Sequence, residues 1–268
     1  MPVRELRRLS RALLLAAHLL LAVLPCSLAV ICPPRARGWV PHFRTWWLRR
    51  AVTVLGVKVV TRGEPAPGPA LLLANHISWL DILALAVRSD AAFVAKSEVA
   101  EWPLLGWLIG AGGTEFLRRG SHGDIKRVLA RMAARLKSGE SLIVFPEGTS
   151  TGAALPLRFR PRLIQAAVDA GMPVQPVAIH YGNRPAVAFI GEDTFLSHLW
   201  RLLAEEPVLA EVVFLPGLSS VSGDCRLIAD ESWRAVSHAL TRLELFERHS
   251  RLVAEESSDD AMLVRVIG

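Results

Sequence analysis

His76 and Asp81, five positions apart in NHISWLD, are residues whose types and spacing can do chemistry. An imidazole held by a carboxylate is a general base, because the carboxylate selects the tautomer and stabilises the imidazolium that forms when a proton is taken up. Spacing restricts where this can happen. On one regular helix, residues five apart point about 140° away from each other and cannot share a site from mid-helix. They meet if LLLA at 71–74 is a short buried strand, Asn75 breaks it, His76 lies in the strand-to-helix turn and Asp81 lies about one turn into the helix, with Ser78 as its cap. Taken alone, the pair reads better as a surface histidine and an acidic residue that favours a helix N-terminus.

It does not stand alone. FPEGTS at 145–150 again directly follows an apolar, strand-like run. NHISWLD and FPEGT resemble the two strong signatures of the glycerolipid acyltransferases related to bacterial 1-acylglycerol-3-phosphate acyltransferase. GGTEFLRR, with Phe116 and Arg119, is similar to that family's Gly-x-x-Phe-x-x-Arg motif, and VQPVAI at 174–179 to its Val-x-Pro-Val-x-Ile motif. The four stand in family order between residues 57 and 182, and the first two are specific.

The resemblance implies an O-acyltransferase that moves a fatty acyl group from acyl-CoA or acyl carrier protein to the free hydroxyl of a lysolipid. Its nearest concrete form makes phosphatidic acid from 1-acyl-sn-glycerol 3-phosphate. His76 is then the base and Asp81 its orienter, with no acyl-enzyme, no cofactor and no metal. Arg119, Glu147, Gly148 and Thr149 are implied to bind the acceptor, and Lys96 in FVAKSEV to face its anionic group. A glutamate cannot bind phosphate directly, so Glu147 pairs with an arginine, accepts the acceptor hydroxyl or holds its loop. Pro176 belongs to packing. Two departures matter: Ser150 stands where phosphate-handling members carry arginine, and their Phe-Lys-x-Gly becomes Phe159, Arg160, Pro161, Arg162. Arg158 and Arg160 are the candidates to replace the missing cation, and a zwitterionic acceptor such as lyso-ornithine lipid is the alternative.

The elements that must position these residues follow from periodicity. Val57–Thr61, Ala70–Leu73, Ala92–Ala95, Thr114–Leu117, Ser141–Phe145, Val174–Tyr181, Ala186–Ile190 and Glu211–Leu215 read as strands. Ser78–Val87, Asp124–Lys137, Arg162–Ala170, Phe195–Ala204 and Asp230–Ala254 read as helices. Strands alternating with helices predict an α/β domain with a mostly parallel sheet flanked by helices, and active residues past strand C-terminal ends. Three regions are expected: membrane-anchoring helices over 1–56, an acyltransferase domain over 57–254 and a frayed acidic tail over 255–268, with GWLIGAGG at 106–113 a packing or loop segment.

The charge is uneven. Residues 1–62 carry ten Arg and one Lys against one Glu, net +10, so with +6 overall the remainder is net −4. A basic arm suggests an anionic surface, but its 21-residue uncharged run from Ala12 to Cys32 is wrong for nucleic acid and long enough for the roughly 30 Å hydrocarbon core. An uncleaved anchor is favoured over a signal peptide. Trp39, Trp46 and Trp47 among arginines mark the next helix as interfacial, in a single-pass or a re-entrant arrangement, at the inner membrane with the catalytic domain on the cytoplasmic side. Cys26, Cys32 and Cys225 form neither a CxxC pair nor an even framework, which excludes a zinc-ribbon or disulfide scaffold. A lipid hydrolase is disfavoured because no G-x-S-x-G elbow is present. Intact His76 and Asp81 argue against a silent binding protein.

Overall fold

The computed structural model describes residues 2–97, 99, 105–111, 113–117, 122–191 and 193–267. Two helices, α1 (Val3–Ile31) and α2 (Val40–Val54), precede β1 (Val57–Arg62). The body continues through β2 (Leu71–Ala74), α3 (Leu80–Ala86), β3 (Ala92–Lys96), α4 (Leu105–Ala111), β4 (Glu115–Leu117), α5 (His122–Lys137) and β5 (Leu142–Val144). It ends with α6 (Gln165–Ala170), β6 (Val174–Tyr181), α7 (Arg184–Val187), α8 (Phe195–Leu202), β7 (Val208–Phe214) and α9 (Cys225–Ile267).

The strands form one sheet in the order β1-β7-β6-β2-β5-β3-β4. Every pairing is parallel except β6 with β7, so β1 and β7 run against the other five. Strands covered on both faces read as unbroken apolar runs, and β2, β5 and β6 are buried at every position. Successive side chains alternate between two cores. Leu72, Ala74, Ile143, Val177, Ile179 and Tyr181 face α2, α3 and α8, while Leu71, Leu73, Leu142, Val144, Val174 and Ala178 face α5, α6 and α9. β2 and β5 lie side by side in register, Leu73 opposite Val144, so both chains leave the sheet at the same end.

α1 and α2 form an antiparallel hairpin. The His18 ring stacks on Trp47 at 4.6 Å, and Trp47 Nε1 donates to the His18 carbonyl at 3.1 Å. Arg37 caps the end of α1 by donating to the carbonyls of Val30 and Cys32. The basic start of α1 leans on the end of α8. Arg4 pairs with Glu205, Arg7 with Glu206, and Arg11 donates to the carbonyls of Leu203 and Glu205, where α8 ends. Cations belong at a helix C-terminus. These three arginines of the basic arm are therefore held within the protein.

Three sequence expectations are corrected. Ala186–Ile190 is no strand, since α7 occupies Arg184–Val187 and the chain beyond it is irregular. Pro185 at the first turn suits a helix start and cannot donate to a ladder. Residues 106–111 of the glycine-rich segment, expected to pack or to form a loop, are helical, in α4, with Ala111 packed against Ala22 and Cys26 of α1. The last helix begins at Cys225 rather than Asp230, because Asp224 Oδ1 caps it by accepting from the backbone N–H groups of Arg226 and Leu227. It also runs to Ile267, so 255–267 is helix rather than frayed tail.

Candidate active site

His76 and Glu147 are set by the paired ends of β2 and β5. Asn75 makes the turn possible: its side chain donates to the Ile179 carbonyl at 3.0 Å and accepts from the Ile179 N–H at 2.7 Å, extending the β2–β6 ladder after the β2 backbone has turned away. His76 follows, and its ring stacks on Phe145 at 4.2 Å, the first residue beyond β5.

Asp81 is the second residue of α3 and is fully buried. Its Oδ2 accepts from His76 Nδ1 at 2.8 Å and from the backbone N–H groups of Ile77 at 2.7 Å and Ser78 at 3.0 Å. The expected cap is thus inverted. Ser78 contributes its backbone and Asp81 the accepting side chain, while the Ser78 hydroxyl is buried without a partner. Because Asp81 accepts, Nδ1 carries the hydrogen and Nε2 of the neutral ring keeps its lone pair. The ring is about a quarter exposed and lines a cavity.

Glu147 is equally buried, but its carboxylate is directed at the backbone. Oε1 accepts from the His76 N–H and Oε2 from the Leu157 N–H, each at 2.7 Å. Of the three open roles, these contacts are those of a residue that holds its loop. Burial pushes its pKa up to about 7, against the lowering effect of both backbone bonds and of the nearby His76. Gly148 adopts φ 74°, and a Cβ there would stand 3.2 Å from Nη1 of Arg160, so the position suits glycine on both counts. Thr149 is exposed. Ser150 donates its hydroxyl to the Phe189 carbonyl and so braces the same loop.

The cavity holds about 1320 Å³. Its apolar walls come from both the hairpin and the body, Leu15, Leu19, Ala22, Phe43, Trp47 and Leu83 among them. Its polar lining includes His76, Arg44, Arg160, Arg162, Gln165 and Asp224. Arg158 instead lies over the Trp233 ring at 3.7 Å and beside Asp230. Lys96 ends β3, one strand from β5. Arg119 lies outside the described residues.

Sequence reasoning missed Tyr181. Its hydroxyl donates to Asp81 Oδ1 at 2.9 Å from the last residue of β6, and it is buried with Asp81. A polar-tipped aromatic ending an otherwise apolar strand at the active end of the sheet was the available signal.

Comparison with known proteins agrees with this geometry. The Acyltransferase family profile matches residues 47–180. The lyso-ornithine lipid O-acyltransferase of Pseudomonas aeruginosa is 42% identical over 199 residues, 73% of this chain and 77% of that protein. The 1-acyl-sn-glycerol-3-phosphate acyltransferase of Neisseria gonorrhoeae is 34% identical over 194 residues, 68% of this chain and 74% of that protein. The crystal structure of the 1-acyl-sn-glycerophosphate acyltransferase PlsC from Thermotoga maritima superposes with a TM-score of 0.68 over 90% of this chain and 96% of that one, at 24% identity, which speaks to the fold. With the histidine–aspartate pair at the end of a mostly parallel sheet, these matches place the chain in the Acyltransferase family.

Proposed function

We propose that this protein transfers a fatty acyl group from a thioester carrier, acyl-CoA or acyl carrier protein, to the free hydroxyl of a lysolipid at the inner membrane. The observation that carries the reading is the 2.8 Å contact between His76 Nδ1 and Asp81 Oδ2, with His76 lining a cavity that apolar side chains and Arg160 line as well. His76 Nε2 removes the acceptor's hydroxyl proton as its oxygen attacks the thioester carbonyl. Asp81 stabilises the imidazolium. A new C–O bond forms, the C–S bond breaks, and the imidazolium returns its proton to the departing sulfur, so no acyl-enzyme intervenes. Arg160 meets the anionic part of the acceptor, and Glu147 keeps the loop and His76 in register. Lys96, which ends β3, and Arg119 are proposed to contact the acceptor.

The acceptor is proposed to be lyso-ornithine lipid. Support comes from the Pseudomonas relative and from Ser150, whose hydroxyl is spent on the Phe189 carbonyl at a position where a phosphate-handling site carries arginine. Lysophosphatidate is the second reading, favoured by Arg160 and Arg162 in the cavity and by the Neisseria relative. A panel of lysolipids offered with labelled acyl-CoA and acyl carrier protein, with products scored by mass, tests both. Acylation of lyso-ornithine lipid supports the first reading, acylation of lysophosphatidate alone selects the second, and no lysolipid product refutes the activity.

The hairpin is proposed to enter one leaflet and return, with the catalytic body on the cytoplasmic side. α1 contains the candidate membrane span among the described residues, with a window of mean hydropathy 2.4. The 15 residues of α2 rise about 22 Å, too short to cross. Leu13, Leu20, Leu21, Leu24 and Ile31 are exposed on α1, while its first turns are tied to α8.

A further inference from the structure

We infer that Tyr181 is a positioning residue of this site, its phenolic hydrogen fixing the second oxygen of Asp81 so that the carboxylate acts on His76 as an anion of set orientation. The inference rests on the proposed base role of His76. Asp81 has no exposed surface and gathers four donors: His76 Nδ1 and the N–H groups of Ile77 and Ser78 on Oδ2, and Tyr181 alone on Oδ1. The three donors on Oδ2 come from within five residues of Asp81 and move with the turn. Tyr181 is 100 residues away and belongs to the central strand β6. It is therefore the tie between the carboxylate and the rigid sheet. Without it Oδ1 becomes a buried acceptor lacking a partner, and the carboxylate is free to pivot about its bond to Cβ.

The same bond bears on proton affinity. A donor on Oδ1 spreads the carboxylate charge and so moderates its grip on an imidazolium. Burial and the adjacent Asp81 charge hold the Tyr181 phenol well above its ordinary pKa, so it remains a donor wherever the enzyme works. The titratable groups facing the pair are His76 from the β2 turn, Glu147 from the loop after β5 and Tyr181 from β6. Glu147 titrates near neutrality, so the informative quantity is the change made at residue 181 while Glu147 stays as it is.

Tyr181 is the only tyrosine in the chain, so global incorporation of 3-fluorotyrosine alters this position and no other. Full-length membrane-bound enzyme is prepared as wild type, as Tyr181→Phe and with 3-fluorotyrosine, a more acidic phenol and stronger donor. Lysolipid acylation is followed across pH. The Phe variant is expected to lose about 10-fold in kcat with KM little changed, as for outer partners of other functional histidines. The acid limb of its kcat/KM profile moves about half a pH unit upward. Fluorotyrosine moves that limb downward. The ordering Phe, Tyr, fluorotyrosine follows donor strength, whereas a packing disturbance, an atom lost in one variant and a larger atom added in the other, would move both away from wild type in the same direction. A folded Phe variant with wild-type kcat and acid limb overturns the inference, as does displacement of both variants in one direction. A wild type that acylates no lysolipid overturns the proposed function and the inference with it, whereas an active wild type with indifferent variants overturns the inference alone.

Discussion

His76 is the residue on which the proposed chemistry converges. Replacing it by Ala is expected to reduce turnover by about 10²- to 10⁴-fold, the usual worth of a positioned general base, with circular dichroism and membrane fractionation unchanged. Glu147 gives a pH test. Its folded pKa of about 7 lies above its ordinary value of 4.5, so folding favours the protonated carboxyl. Stability from this group is full below the unfolded value and is lost as pH rises towards about 7. Thermal melts of the wild type should therefore show a fall over that window, and Glu147→Gln should flatten it. A Gln variant melting with the unaltered slope would show that the slope belongs to other groups. At this scale the sequence was half legible. NHISWLD and FPEGT announced His76, Asp81 and Glu147, because their roles are tied to local spacing. The partners of Asp81 and Glu147 were not announced, because Tyr181 and Leu157 arrive through strand order and loop return, which no local pattern encodes.

The elements matter for where they stop. Asn75 ends β2 by extending its ladder with a side chain, and this lets the backbone turn while the Ile179 N–H and carbonyl stay bonded. Asn75→Ala leaves both of those buried groups without partners. The expected cost is about 2 kcal/mol, read as a lower midpoint in chemical denaturation, with loss of activity in the folded fraction because the β2 turn presents His76. A variant as stable as wild type would mean that water or a shifted ladder takes over. The alternation of strands and helices was readable from period alone, and it predicted both the parallel core and the strand ends that hold the site. Boundaries failed where a single side chain decides them. Pro185 turned a short apolar run into α7, and Asp224 started α9 five residues early. The reversal of β7 against β6 also left no mark in the sequence, since its alternating burial is compatible with either direction.

For the whole molecule, charge was the least reliable guide. The net +10 of the first 62 residues suggested a basic arm seeking anionic lipid, yet Arg4, Arg7 and Arg11 are bound to Glu205, Glu206 and the carbonyls ending α8. Seating should therefore depend on apolar surface more than on ionic strength. Leu20→Asp with Leu24→Asp is expected to move the protein out of the membrane fraction, whereas raising salt releases little of the wild type; salt-released wild type would contradict this. The reverse follows for Arg4→Gln with Arg7→Gln, which should lower thermal stability while membrane recovery holds. Because Leu15, Leu19, Ala22, Phe43 and Trp47 of the hairpin face the same hollow as His76, the leader is not a tether that can be trimmed away. Removing it to obtain a tractable soluble enzyme would open that hollow along one side, admit water to the proposed thioester donor, and is expected to exchange a transferase for a slow, unselective thioesterase or for nothing at all.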